Sequence, residues 1–228
     1  MAGLSPKRRI TRPRRRLGRA LGASLSFVVV VCAASTAVRA DDSYVAVMRS
    51  LGEVAGFEAK FDETKTIPLL TSPVRSEGKL YYDRRGLLAR HTTNPFESVL
   101  VLTPFEIAYR DAGAQWTEGI GGSATLRDVA RAWLLVMQGQ SKAVEELFET
   151  QFSRSGDANG WLLVLRPKDA DLARVVSVLR IAGHHDVLDS IETESGGGDR
   201  SMLRVIDFHS RTAFSKDERQ ALFLGARP

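Results

Sequence analysis

The sequence predicts an α+β fold, mainly β with a helical insert, on three observations. Between residues 57 and 119 short apolar runs alternate with polar residues and are separated by turns. At 123–149 the apolar period lengthens to that of a helix. After Gly160 the strand-like runs return. Strands joined by turns, rather than by crossover helices, predict one meandering antiparallel sheet.

The first 40 residues stand apart. "MAGLSPKRRITRPRRRLGR" is rich in Lys and Arg, "ALGASLSFVVVVCAASTAV" is uncharged and mostly apolar, and "VRA-DDS" follows. This is the pattern of an export signal cleaved between Ala40 and Asp41. A retained membrane anchor is the alternative, but the run is borderline in length for a span, and Val38 and Ala40 suit cleavage. "RRRLGRAL" is only loosely like a twin-arginine signal. Cys32 follows three valines rather than the small residue that lipid attachment needs.

Cleavage changes the charge argument. Residues 1–40 hold nine cations and no acid, so the net charge falls from +5 to −4. A mildly acidic domain is a poor match for phosphate backbones, and no nucleic-acid partner is expected. The only cysteine leaves too, so residues 41–228, read as a single domain, must rest on a hydrophobic core without disulfides.

Taken in order, "SYVAVMRSLGEV" predicts a helix over 43–54, with Tyr44, Val47, Met48 and Leu51 on one side and Gly56 ending it. "FEAKFDETKT" alternates Phe57, Ala59 and Phe61 against Glu58, Lys60 and Asp62, a half-buried strand. "IPLLTSPVR" carries two prolines and predicts a connector. "GKLYYDR" is a strand with Leu80 and Tyr82 on one face and Tyr81 on the other. Arg84-Arg85-Gly86 turns the chain into "LLARHTT", Asn94-Pro95 breaks that strand, and "ESVLVLTP", "FEIAYRD" and "QWTEGI" continue the sheet.

In the insert, Ser123 or Thr125 is the expected cap. Leu126, Ala130, Trp133, Leu134 and Met137 lie along one side. Gly139 breaks the run, and Ser141 caps a second helix carrying Val144, Leu147 and Phe148. "GWLLVLRP", "ARVVSVLRI", "DVLDSIETE" and "SMLRVIDFHS" predict the last strands, and "SKDERQALF" a final helical turn.

Chemistry is sparse. The adjacent His184 and His185 point to opposite faces of a strand, whereas a metal needs converging ligands, so "GHHDV" predicts a hairpin turn. No Gly-x-Ser-x-Gly elbow or phosphate-binding loop is present, and no spacing singles out a carboxylate pair. No cofactor, metal or catalytic residue is expected. The surplus is apolar: a sheet face and a helical stripe that either fill a core or enclose a greasy cavity. Alternation within strands proposes Phe57, Phe61, Leu80, Tyr82, Leu100 and Leu102 as its wall. The helical stripe would be its cover.

"GKLYYDRRGLLARHTTNPFESVLVL", followed by "WLLVLRPKDADLARVVSVLRIAGHHDVLDSIETE", resembles the LolA family of periplasmic lipoprotein carriers over most of residues 42–210. The resemblance implies an incomplete antiparallel β-barrel, a half-barrel, covered by a lid of helices, with an apolar cavity for acyl chains. It implies a monomeric carrier that takes an acylated lipoprotein or lipid from an inner-membrane release complex to an outer-membrane acceptor. An envelope sensor on the same fold is the second reading and a periplasmic hydrolase the third. The resemblance also assigns Arg84 as a latch that hydrogen-bonds to the lid. Here Arg85 replaces the family's proline at the next position, so either arginine is a candidate. The apolar "TIPLLTSPV" replaces a polar loop and leaves the cargo open between a lipoprotein and another lipid.

Overall fold

The computed structural model describes residues 40–119, 124–155 and 159–224, with side chains for 43–114, 131–155 and 159–223. The chain begins with helix α1 (Ala40–Glu53), followed by strands β1 (Gly56–Thr66), β2 (Val74–Asp83) and β3 (Leu87–Asn94). Next come β4 (Ser98–Leu102), β5 (Glu106–Asp111) and β6 (Gln115–Gly119), then helices α2 (Ala124–Met137) and α3 (Ser141–Leu147). The remainder is β7 (Phe148–Arg154), β8 (Gly160–Pro167), α4 (Ala170–Val175), β9 (Val178–His184), β10 (Val187–Glu194), β11 (Arg200–Ser210) and α5 (Lys216–Arg219).

The strands form one antiparallel sheet in the order β6-β5-β4-β3-β2-β1-β11-β10-β9-β8-β7. Hairpins lay out each half in sequence, and the β1–β11 pairing joins the halves. The free edges are β6 and β7, and α2 with α3 is the connection between them. The sheet is therefore an incomplete barrel with a helical insert, as the sequence reading expects.

Alternation decides which face is buried. In β1, Phe57, Ala59 and Phe61 are buried while Lys60 is exposed and reaches Asp207 at 2.8 Å. The same inner face carries Leu163 and Leu165 of β8 and Leu179 and Ile181 of β9. Four residues of α1 predicted to share a side, Tyr44, Val47, Met48 and Leu51, are all buried with them in one core. At Gly139 (φ +67°) α1 and the end of α2 cross backbone to backbone: a Cβ there would lie 2.2 Å from the Met48 carbonyl oxygen.

Four local expectations are corrected. The insert's second helix ends at Leu147, and Phe148 opens β7, because that segment pairs along its length with β8, from Phe148↔Pro167 to Arg154↔Trp161. Cross-strand bonding ends the helix after Leu147 and makes Phe148 and Glu149 extended, although the sequence pattern carries the helix on to Glu149. Ser141 is the first helical residue and not the cap: Gln140 holds the cap position, with no side-chain bond. The predicted strand at 173–181 is helical at its start. Asp169 Oδ1 accepts from the amides of Asp171 (3.0 Å) and Leu172 (2.8 Å), which starts α4 and delays β9 to Val178. Finally, α1 ends at Glu53, and Gly56 belongs to β1. The expected caps Ser123 and Thr125 lie outside the described residues or side chains.

The outer face of the sheet has its own cover. After a capping box between Ser215 and Glu218, α5 and the π-helical turn Gln220–Leu224 fold back over β2–β5. Phe214 and Phe223 pack there on Tyr81, Ala89, Val101 and Ala108. His91 Nε2 lies 2.8 Å from the Leu222 carbonyl oxygen, and its ring meets Tyr81 edge-on at 5.0 Å.

Burial lowers the His91 pKa below its ordinary 6.5; Arg110 and Lys79 act in the same direction, against the bond to Leu222. Protonation is thus harder in the folded protein than in the unfolded chain. The stability His91 contributes is full above pH 6.5 and declines as pH falls toward the lowered folded value. Limited proteolysis beyond Ser210 should be faster at pH 5 than at pH 8. A His91→Gln variant should flatten that difference.

Candidate functional site

Between the inner face of the sheet and α2 lies a cavity of about 250 Å³. Its wall follows from register. Leu80 pairs with Arg90 and Arg90 with Leu100, while Tyr82 pairs with Leu88 and Leu88 with Leu102. Antiparallel partners share a face, so these residues project together. Of the wall proposed from sequence, Phe57, Leu80, Leu100 and Leu102 line the cavity, and Trp133 and Met137 of α2 line it from the opposite side.

Other proposed residues take different places. Phe61 and Tyr82 are buried on the inner face but do not line the cavity. The Arg90 guanidinium stacks over the Phe61 ring at 4.5 Å. The Tyr82 hydroxyl donates to the Met137 carbonyl oxygen (3.2 Å), directly tying the sheet to the end of α2. Burial, the dominant cause, pushes the Tyr82 pKa up to about 12, so the phenol keeps its donor proton at every physiological pH. Leu134 is buried but does not line the cavity, because one helical residue turns it about 100° from Trp133. The side chains of Leu126 and Ala130 lie outside those described.

Among the described residues, Arg84 makes no hydrogen bond to α2. Its Nη2 donates to the Gly52 carbonyl oxygen (3.0 Å) at the C-terminal end of α1, where a cation complements the helix dipole. The backbone amide of Arg85 donates to Asp83 Oδ1 (3.0 Å), and the Arg85 side chain makes no hydrogen bond among the described residues. The link from this turn to α2 is indirect: Gly52 packs against the backbone of Gln138 and Gly139. Tyr82, by contrast, bonds the sheet directly to α2.

The sequence reading missed the rest of the lining. Leu88, Leu188, Ile191 and Leu203 add apolar surface. Glu63, Arg90, Thr193 and Ser201 make one part of the wall polar. Alternation in "LLARHTT" was the available signal, since it sets Leu88, Arg90 and Thr92 on one face.

The polar residues form a network. Arg90 Nη2 donates to Glu63 Oε2 (2.5 Å) and to Ser76 Oγ (3.0 Å). The Ser76 hydroxyl donates to Glu63 Oε2 (3.0 Å), and the Ser201 hydroxyl donates to Glu63 Oε1. Burial raises the Glu63 pKa, but the Arg90 charge and these hydrogen bonds outweigh it, so the carboxyl is held below its ordinary range. Arg90 Nε is buried and has no acceptor among the described residues.

Arg90 and Leu100 also line a second, open space of about 880 Å³ beside the β3–β4 and β5–β6 hairpins. Thr92, Thr93, Ser98 and Asp111 give it polar walls, and Phe96, 80% exposed, stands on its rim. The Gly-His-His-Asp segment forms the β9–β10 turn, with His185 at φ +49°. His184 Nδ1 lies within 2.9 Å of the Asp189 carboxylate.

Residues 32–206 match the family described as outer membrane lipoprotein carrier protein LolA-like. The chain matches no curated protein. Among solved structures it is similar to a DUF1329 family protein from Desulfovibrio piger, with 11% identity, TM-score 0.47 and coverage of 80% of this chain and 98% of that one. A LolA superfamily protein from Nitrosomonas europaea matches with 10% identity, TM-score 0.40 and coverage of 75% and 96%. A chain of the Pseudomonas aeruginosa MucA/MucB complex matches with 12% identity, TM-score 0.36 and coverage of 77% of this chain and 59% of that one.

Proposed function

The chain belongs to the family of LolA-like outer membrane lipoprotein carrier proteins, and on that premise we propose that it is a periplasmic carrier, not an enzyme. It binds the acyl part of a lipoprotein or related lipid in the cavity beneath α2. It moves that cargo as a monomer from an inner-membrane release complex to an outer-membrane acceptor. Residues 1–40 act as a signal cleaved before Asp41, and 41–228 form the carrier domain.

The observation that carries this reading is the apolar cavity between Trp133, Met137 and the inner sheet face. A methylene is close in size to a water molecule, about 30 Å³, so the space holds roughly eight of them. At about 0.8 kcal/mol per buried methylene, that chain segment gains on the order of 6 kcal/mol. That gain, measured from water, keeps the chain from escaping into solvent; measured from a bilayer, where the same methylenes are already buried, it is close to zero, so the chain can pass to a better acceptor. A cargo with several chains requires α2 to lift, which breaks the Tyr82–Met137 bond.

Detergent-free protein from the periplasm should begin at or near Asp41 and carry acylated molecules visible by native mass spectrometry. Those molecules should pass to acceptor vesicles. Lipid-free protein that neither binds acylated peptide nor glycerolipid would overturn the reading. Binding without net transfer would favour an envelope sensor.

A further inference from the structure

We infer that the cavity holds a single acyl chain by its linkage carbonyl, an ester or amide oxygen, with Arg90 as the specificity-determining residue. This rests on the lipid-binding reading above and names the ligand chemistry more narrowly.

Three observations meet at Arg90. The first is space: about 250 Å³ admits one chain segment and not a bundle. The second is charge. Arg90 is already paired with Glu63 at 2.5 Å, so the pair presents no net charge to an ionic headgroup. The third is an unused donor: Arg90 Nε is buried without an acceptor, although the rest of the network is bonded through Ser76 and Ser201. A buried donor left unpaired is costly, and a ligand oxygen delivered to it removes that cost.

A neutral acceptor fits this site better than an anion, because Glu63 lies beside it and repels a second negative charge. The carbonyl that joins an acyl chain to its carrier is such an acceptor, and it sits where the chain ends. Arg90 lies at that boundary, since it lines both the apolar cavity and the open space of about 880 Å³. The chain thus occupies the cavity, the Arg90 guanidinium turns its buried Nε–H toward the cavity so that the carbonyl accepts from it, and the polar remainder lies among Thr92, Thr93 and Ser98. An acylated peptide terminus and a glycerolipid ester share this chemistry.

The test compares decanoyl monoglyceride with decyl glyceryl ether, which lacks only the carbonyl, and with N-decanoyl glycinamide and decanoate. Calorimetry on the mature chain below micelle concentrations reads the affinities. The ester or the amide should bind about tenfold more tightly than the ether, the worth of one hydrogen bond to a charged donor. Whichever of the two is tighter identifies the source as glycerolipid or acylated peptide. Arg90→Lys keeps a cation opposite Glu63 but removes Nε–H, and should bring the three neutral probes within about twofold of one another. Ether binding equal to ester and amide in the wild type overturns the inference without any variant. So does a full carbonyl preference retained in Arg90→Lys, or decanoate binding most tightly. If none of the four binds, the lipid-binding reading itself fails.

Discussion

Gly139→Ala lowers the unfolding midpoint by on the order of 10 °C, an expected result that thermal unfolding followed by circular dichroism checks. Two effects add. Gly139 has φ +67°, where a side chain costs about 1–2 kcal/mol. Its new Cβ would also sit 2.2 Å from the Met48 carbonyl oxygen and 3.0 Å from the Gly52 backbone, forcing α1 away from the end of α2, an overpacking cost of about 1–3 kcal/mol. The displacement should also loosen α2 over the cavity, because Tyr82 is bonded to the Met137 carbonyl two residues earlier. Hydrogen exchange at the end of α2 should therefore rise more than exchange in β8 and β9. A midpoint within 2 °C of wild type would refute the close crossing of α1 and α2.

The second large effect is at Glu63. Glu63→Ala leaves Arg90 partly buried with its counter-charge gone and should cost roughly 2–3 kcal/mol, somewhat below the value for a fully buried pair because the Arg90 side chain keeps 29% exposure. Removing both charges, as in Glu63→Leu with Arg90→Met, should cost less than Glu63→Ala alone, since no orphaned cation remains. The pH dependence gives an independent check. The Glu63 pKa is lowered from 4.5 in the folded protein, so its contribution is present above that value and lost as pH falls through the folded pKa. The stability gap between wild type and Glu63→Gln should be wide at pH 7 and should shrink as pH falls from 4.5 through the lowered folded pKa. A constant gap across that range would mean that the Glu63 charge does not hold the network.

Alternation carried part of the apolar wall. Because side chains in a strand point to opposite faces in turn, choosing Phe57, Leu80, Leu100 and Leu102 required only the strand assignment. Helical spacing likewise placed Trp133 and Met137 on one side, four residues apart. Where the reading failed, long-range partners decided the outcome. Phe148 extends because β8 bonds to it, and Arg84 reaches Gly52 because the β2–β3 turn lies beside the end of α1. Beyond the alternation of its strand, nothing in the local sequence around Arg90 marks it as part of the site. Only the meeting of β1, β2, β3 and β11 supplies Glu63, Ser76 and Ser201 as its company.

By itself the sequence determined the strand meander apart from β7, the helical insert, the inward faces of β1, β2 and β4, and the family, since all four are written in local period and in the order of motifs. Whether that apolar surface closes into a filled core or stands open was left to tertiary structure. The pairing of β1 with β11 and the crossing of α1 with α2 set how near α2 comes to the sheet. A cavity is the volume that packing leaves over, so it belongs to distances between elements and to no single segment of the chain.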